Sequence, residues 1–185
     1  MRCIFRKVFS LVALVVAISF AGATEGQAET DSLYFSLSGN MAIPTGDNAD
    51  YVHVGGGVVA GLGYGFNENF ALEGEFIGAW FPINVSGTAS TYSGIFGPRF
   101  SLPLSADGKF GVFAGAGIGV VHTEVTLGPF WGWETRFGWQ AKAGVQYEVA
   151  DSFEVFLDGR YVATAEYAGD GAVGIGLGIR FYPLN

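Results

Sequence analysis

Strict alternation of apolar and other side chains is the feature that most constrains the fold of this chain. From Phe137 to Tyr147 every second residue is apolar, and the residues between them are glycine, polar or charged. A period of two places successive side chains on opposite faces of a β-strand. The segment Thr135–Val149 therefore predicts a strand with one apolar and one polar face.

Seven further segments show the same period, which predicts eight strands in all. These strands are expected at 33–43, 54–66, 70–81, 95–104, 110–122, 135–149, 153–163 and 172–181. The connections alternate between tight turns and longer loops, which is typical of an up-and-down antiparallel sheet. Tight turns are expected at 67–69, 105–108 and 150–152, and longer loops at 44–53, 82–93, 125–134 and 164–171. Pro98 and Pro103 make the fourth strand the weakest of the eight strand predictions, because proline cannot donate to a ladder.

The N-terminus has the pattern of a secretory signal peptide rather than of the mature fold. Basic residues in 1–7 precede an apolar run over 8–22, and small-residue cleavage sites follow at Ala23 and Ala28. We expect a signal peptide over 1–28, cleaved after Ala23 or Ala28, and a single mature domain over 29–185. Cys3 would be removed with the signal, so the mature chain has no disulfide framework.

The charge of the mature chain excludes one class of function. Cleavage after Ala28 leaves six basic and sixteen acidic residues, a net charge of −10. Phosphate contacts with nucleic acid require a basic surface, so no nucleic acid is expected among its partners.

The polar rows of the strands carry few charges, and the two signs are balanced. A soluble barrel would expose many Lys and Glu side chains there, whereas these rows consist mainly of Gly, Ser and Ala. Charges in a narrow interior must pair, because burying an unpaired ion is costly. We therefore predict a structural charge network in the lumen, formed by Glu73, Glu75, Arg99, Arg136, Lys142, Glu148, Glu154, Asp158, Arg160 and Arg180.

If the polar row lines a lumen, the apolar row faces hydrocarbon. Only a closed sheet satisfies all backbone hydrogen bonds of strands in a bilayer, and strands of roughly ten residues can cross it when tilted. Aromatic residues near the strand ends are typical of membrane interfaces. The predicted fold is all-β: an eight-stranded antiparallel up-and-down transmembrane β-barrel. A soluble sandwich or lipocalin-like barrel, with the apolar row inside, is the alternative.

The layout resembles the small eight-stranded outer-membrane barrels: the OmpA transmembrane domain, OmpX and the opacity-porin type. The last strand is similar to their assembly signal, with Gly176, Ile179 and Phe181 at the matching positions. The resemblance implies a Gram-negative outer membrane, recognition by the barrel-assembly machinery, and contact with membrane lipid and lipopolysaccharide. It also implies periplasmic short turns, surface-exposed long loops and a lumen filled by side chains.

Enzymes on this scaffold act on lipid A, and their parts are not evident in this sequence. A serine hydrolase needs a base beside its nucleophile, and the histidines are His53 and His122. Ser90, Thr91 and Ser93 fall in a different predicted loop from either histidine. We therefore predict no catalysis, no cofactor and no metal site, and keep a lipid A-modifying enzyme as an alternative.

The predicted outer loops offer two further hypotheses. Their acidic residues could bridge to lipopolysaccharide phosphates through divalent cations, although a solvated acidic surface is favoured; these residues are Asp47, Asp50, Glu124, Glu134, Glu166 and Asp170. The aromatic segment Gly128–Trp133 could be an exposed patch for adhesion or for a hydrophobic ligand. An extension of the aromatic belt, or a cover over the barrel mouth, is favoured for it.

The function predicted from the sequence is a structural or surface-interaction role through extracellular loops that contact a host or environmental ligand. The alternatives are a narrow pore or a passage for small apolar molecules. The lumen charges could line a path for protons or ions, but a paired structural network is favoured.

Overall fold

A computed structural model describes residues 32–83, 87–150, 152–165 and 171–183, and the predicted signal peptide lies outside them. The described residues form a closed barrel in which each strand pairs antiparallel with its neighbours and β8 closes on β1. The strands are β1 Ser32–Pro44, β2 Gly55–Asn67, β3 Phe70–Ile83, β4 Gly87–Pro103, β5 Phe110–Leu127, β6 Phe130–Ala150, β7 Phe153–Thr164 and β8 Gly171–Phe181. A short 3₁₀ helix, Gly46–Asp50, follows β1. Among these residues no helix has the length and apolar character of a membrane span.

The faces of the strands are arranged as the lipid-facing interpretation requires. Leu177 is 68% exposed on the outside of β8, whereas Arg180 is 2% exposed inside the same strand. Large apolar side chains are exposed along the outside of all eight strands, while most charged strand residues are buried. A soluble barrel would show the opposite arrangement, so the lipocalin-like alternative is wrong.

Glycines on the inner face make room for the large side chains of the lumen. The ring of Tyr34 lies across Gly63, where a Cβ atom would come within 2.1 Å of the ring. Phe156 covers Gly178 in the same way, at 2.4 Å. An eight-stranded barrel is just wide enough to be filled by side chains, so large residues require glycine on the neighbouring strand.

Two aromatic girdles mark the membrane interfaces. Near the turns that follow β2 and β4, the ring centroids of Phe66 and Phe70 lie 5.6 Å apart, and those of Phe70 and Phe100 lie 5.2 Å apart. Toward the other end, Trp139 packs against Tyr161 at 5.4 Å. Such girdles flank the apolar band of transmembrane barrels, so this arrangement defines the height of the bilayer on the barrel.

Two of the predicted long loops are strands, and this prediction was wrong. Strand β4 begins at Gly87 and pairs with β3 up to Ile83. Strands β5 and β6 pair through Leu127 and Phe130, so only a two-residue turn remains between them. Gly128 adopts a φ of +57° there, a left-handed conformation that glycine tolerates best. The predicted loop over 164–171 lies largely outside the described residues.

The fourth strand forms despite its prolines. Its register with β5 skips Gly97 and Pro98, where the missing N–H would otherwise leave a gap in the ladder. On its other side Pro98 lies opposite Leu72 of β3. The strand is therefore kept in place by continuous pairing on one edge.

Side chains close the tight turns at the end that carries the termini. Asn67 Oδ1 accepts hydrogen bonds from the amides of Asn69 and Phe70, both at 2.9 Å. Asp107 accepts from the Ser105 hydroxyl at 2.5 Å and from the Lys109 amide at 3.2 Å. These hydrogen bonds lower the pKa of Asp107. The turns predicted at 67–69 and 105–108 are thus confirmed.

A charge placed on the outer face tests which surface meets lipid. We expect Leu177→Arg to lower the free energy of unfolding by about 2–4 kcal/mol, because its guanidinium would lie near the bilayer midplane. Leu104→Arg is the matched control just after the end of β4, near the membrane interface, where the cost falls to about 0–1 kcal/mol. Equilibrium urea unfolding in lipid vesicles measures both. Equal and small losses would contradict the orientation.

Candidate functional site: the ion-paired lumen and the extracellular rim

The lumen is divided into three layers along the barrel axis. A polar cavity of about 620 Å³ lies at the end with the termini, lined among others by Glu68, Gln146 and Tyr182. A cavity of about 900 Å³ occupies the opposite half. Between the two lies a layer of buried ion pairs, which we call the charge layer.

Eight of the predicted lumen residues form the charge layer. Lys142 bonds Glu73 and lies 3.1 Å from Glu75. Arg160 lies 2.5 Å from Asp158 and 3.3 Å from Glu75. All of these groups are buried, and the four acids balance the four bases: Glu73, Glu75, Glu154, Asp158, Arg99, Lys142, Arg160 and Arg180.

The second half of the charge layer combines ion pairs with aromatic rings. Arg180 bonds Glu154, and Arg99 lies 3.8 Å from Glu73 and 3.9 Å from Glu154. The guanidinium carbon of Arg180 lies 5.1 Å from the ring centroids of both Tyr34 and Phe156. Such cation–π contacts strengthen as water is removed. They compensate part of the cost of burying these charges.

Neutral side chains complete the layer. The Tyr34 hydroxyl donates to Glu73 at 2.7 Å, and the Gln140 amide donates to Glu75 at 2.5 Å. These groups satisfy carboxylate lone pairs that a single ion pair would leave unfilled. The charge layer is therefore a packed, neutral plug across the barrel rather than a line of free charges.

Two predicted network residues lie outside the charge layer. Arg136 is near the outer rim, where it pairs with Glu134 at 2.8 Å. Glu148 lines the polar cavity at the opposite end. Both face the lumen side of β6 by register, but the length of that strand places them far above and below the plug. Tyr34 and Phe113 were missing from the prediction, although their positions in the period-two pattern would place them inside.

The larger cavity is lined mainly by apolar and small side chains. Its wall includes Ile77, Ala79, Ala89, Val121 and Val162. The sequence prediction of a filled lumen is therefore right at the level of the charge layer and wrong at the levels of the two cavities. The inner rows carry Ala and Val at the level of the larger cavity, whereas at the level of the plug they carry Arg, Glu and Tyr.

At the outer rim, strands β4, β5 and β6 rise above the rest of the barrel. The pairing of β6 with β7 begins only at Gly138, so the part of β6 over 130–137 continues beyond it. Phe130, Trp131 and Trp133 are 76%, 62% and 58% exposed on this hairpin. We call residues 125–134 the aromatic hairpin.

His122 lies on the outer face just below the aromatic hairpin. Its ring nitrogens contact Thr135 Oγ1 at 2.7 Å and Glu124 Oε1 at 3.2 Å. The imidazole thus contacts a hydroxyl through one ring nitrogen and a carboxylate through the other, an arrangement that the sequence alone does not reveal because β6 supplies the hydroxyl. The neighbouring backbone N–H groups belong to the β4–β5–β6 ladder. Because the ladder uses these N–H groups, they are not available to stabilise the oxyanion that forms in a hydrolase reaction.

The predicted acidic loop residues do not converge where the structure describes them. Glu124 contacts His122, and Glu134 pairs with Arg136. Glu166 and Asp170 lie outside the described residues, and the side chain of Asp47 is not described. Within the described ranges, no group of three or more His, Cys, Asp or Glu side chains is placed to hold a metal ion.

A closed antiparallel barrel with an apolar exterior, two aromatic girdles and a charged interior defines a transmembrane β-barrel. The chain belongs to the outer membrane protein beta-barrel domain family, whose sequence model matches residues 11–181. It is therefore an outer-membrane barrel protein. None of the curated proteins matches the sequence of this chain.

Solved structures share the fold at low sequence identity. Neisserial surface protein A (NspA) has a TM-score of 0.69 and 16% identity, over 83% of this chain and 99% of that one. Ail, the attachment invasion locus protein of Yersinia pestis, has a TM-score of 0.58 and 17% identity, over 83% and 98%. The N-terminal β-barrel domain of Pseudomonas aeruginosa OprF has a TM-score of 0.55 and 16% identity, over 84% and 99%.

Breaking the charge layer should destabilise the barrel much more than breaking the rim pair. We expect Arg160→Met to lower the free energy of unfolding by about 3–5 kcal/mol, because it removes the cation beside Asp158 and Glu75. Arg136→Met is the matched control and should cost about 0–1 kcal/mol, since its pair with Glu134 is half-exposed. Urea titration followed by tryptophan fluorescence measures the difference. Similar losses in both variants would show that the plug is not a structural element.

Proposed function

We infer that this protein is a surface component of a Gram-negative outer membrane, which contacts other molecules through its extracellular rim and neither conducts solutes nor catalyses a reaction. The observation that carries this proposal is the aromatic hairpin, which stands above a lumen closed by the charge layer. The predicted signal peptide over 1–28 supplies the export that this location needs. Lipopolysaccharide and membrane lipid are its proposed surroundings.

The height of the hairpin supports contact with other molecules rather than with lipid. A strand tilted by about 40° advances about 2.6 Å along the membrane normal per residue. Tyr147 and Phe137 face outward and lie ten residues apart, or about 26 Å, which matches the apolar band of about 25 Å. Trp131 lies six residues beyond Phe137, about 16 Å above the band. The belt interpretation of this segment therefore fits less well than an exposed patch.

Exposed aromatic side chains on a paired hairpin suit recognition of an apolar surface. Trp131 and Trp133 share the outer face of β6, and the ring of Trp133 packs at 5.7 Å against that of His122. Tryptophan and tyrosine dominate binding hot spots because they bury much area at low entropic cost. The ladder with β5 holds these rings in place before binding. The names of two structural relatives, a surface protein and an attachment protein, agree with such a role.

The alternatives have less support from the geometry. A pore would need a water path through the charge layer, where eight charged side chains are paired and buried. A lipid A-modifying enzyme would need oxyanion donors near His122, where the ladder occupies the backbone amides. Ser93 and Thr91 line the lumen, whereas His122 faces outward, so the barrel wall separates them.

The assembly signal remains a prediction. Ile179 and Phe181 face outward on β8, where a binding partner can reach them before the barrel closes. Gly176 faces inward, and a Cβ atom there would meet Asp158 at 2.6 Å. The glycine is therefore required by the lumen independently of any recognition during assembly.

Replacing the hairpin aromatics should reduce adhesion without affecting the barrel. We expect cells carrying the triple variant Phe130→Ser, Trp131→Ser, Trp133→Ser to partition less into hexadecane droplets than cells carrying the parent protein. Tyr51→Ser is the matched control, because Tyr51 is equally exposed on the other side of the rim. The heat-dependent gel shift of the folded barrel verifies surface expression at equal levels. Unchanged partitioning of the triple variant would refute the proposed role of the hairpin.

Conductance distinguishes the surface role from the pore. In planar bilayers we expect flat current traces from the purified protein, because the charge layer leaves no free ion path. As a control, a general porin is added to the same bilayers, and its current steps show that proteins insert and that conductance is detected. Reproducible conductance steps from the parent protein would favour the pore and contradict the closed lumen.

A further inference from the structure

The outer half of the lumen contains a cavity that the surface role does not use. We propose that this cavity is a binding site for an uncharged, mainly apolar molecule that carries one hydrogen-bonding group, such as a long-chain alcohol, and that the molecule enters from the extracellular side. The volume of about 900 Å³ lies within the range of small-molecule sites, roughly 300–1,000 Å³.

The walls of the cavity select for an apolar ligand. Three alanines, Ala42, Ala79 and Ala89, face inward at this level together with Phe81. Larger branched side chains of the neighbouring strand β5, including Val121 and Val125, extend the lining. The small residues leave space that the plug region lacks. A cavity of this character gains free energy when apolar ligand surface replaces water.

The floor of the cavity offers polar groups that the protein does not use. Ser93 is 1% exposed, and its hydroxyl has no partner among the described residues. The side-chain oxygen of Asn40 is likewise buried and unpartnered. Both residues line the cavity. A buried polar atom without a partner is costly, and a ligand hydroxyl can accept from Ser93 or donate to Asn40.

The charges around the cavity favour an uncharged ligand. Arg160 lies at the floor, but its guanidinium already bonds Asp158 and lies close to Glu75. A ligand carboxylate would add a third negative charge to this group. At the rim Glu134 is paired with Arg136. Among the described residues, these two charged groups at the ends of the cavity are thus already paired and do not favour an ionic ligand.

The only direction of access within the described structure is from the outer rim. The eight strands form a closed sheet, and the skip in the β4–β5 register at Gly97 and Pro98 lies beside Glu73 of the charge layer rather than beside the cavity. The charge layer closes the inner end. Tyr51, Pro129 and Phe130 line the outer end of the cavity, which places its mouth between the 3₁₀ segment and the aromatic hairpin.

Photolabelling can separate the lumen from the lipid-facing surface in one sample. The probe is a long-chain primary alcohol with a diazirine at mid-chain, added to the full protein in lipid nanodiscs and mapped by mass spectrometry. We expect labels on luminal residues such as Ile83 and Val125 in addition to lipid-facing residues such as Leu177. Labels on lipid-facing residues alone would overturn the proposal.

Filling the cavity provides the matched comparison. Ala172→Phe should reduce luminal labelling by about tenfold or more, because the added ring occupies the site, and should leave lipid-facing labelling unchanged. Ala143→Phe adds the same ring to the lipid-facing side of β6 and should leave luminal labelling unchanged. If Ala172→Phe does not show the heat-dependent gel shift of a folded barrel, Thr123→Trp replaces it, because this variant fills the cavity from another strand. Unchanged luminal labelling in a folded filled variant contradicts the site.

The polar floor has its own test. Ser93→Ala should reduce luminal labelling by the alcohol about two- to tenfold, the equivalent of one lost hydrogen bond. It should not affect labelling by a hydrocarbon that carries the diazirine but no hydroxyl. The corresponding carboxylate should label the lumen far less than the alcohol. Equal effects on alcohol and hydrocarbon, or strong labelling by the carboxylate, overturn the assigned ligand chemistry.

Discussion

The absence of water in the bilayer core is the constraint on which the whole structure depends. Every backbone N–H and C=O of a spanning strand must bond within the protein, and the closure of β8 on β1 achieves this. Closure in turn creates an interior of small diameter. The charges that cannot face lipid must then share that interior. Their mutual pairing in the charge layer is a consequence of the same constraint that turns the apolar side chains outward.

The charge layer divides the lumen into parts that differ in the size of their side chains and in the space that these leave. Within it, large side chains such as Tyr34 and Phe156 fill the barrel against glycines of the neighbouring strands, and a polar cavity lies below it. Above it, alanine and valine leave a cavity that extends toward the aromatic hairpin. The taller wall of β4, β5 and β6 extends this outer half into the aromatic hairpin. The proposed surface contact and the proposed ligand binding thus both belong to the half of the barrel above the plug.

The period-two pattern was sufficient to predict the strands within the bilayer. It failed to predict the parts of β4, β5 and β6 that extend above the bilayer. Within the membrane the outer face must be apolar, so alternation identifies both the strand and its orientation. At Thr88, Ser90 and Tyr92 the outer face is no longer bound to hydrocarbon, and polar residues appear on both faces. The ladder continues there because backbone pairing does not depend on side-chain polarity. The sequence therefore predicted loops where the structure has strands.

The sequence by itself determined the strand number within the bilayer, the lipid-facing row and the residues available for the lumen network. Only the tertiary structure decided which of those charges meet: eight form the plug, whereas Arg136 and Glu148 lie too far along β6 to reach it. It also decided that the lumen is open on both sides of the plug. Both outcomes depend on the relative height of strands and on the sum of side-chain volumes across the barrel, which no local pattern in the sequence records.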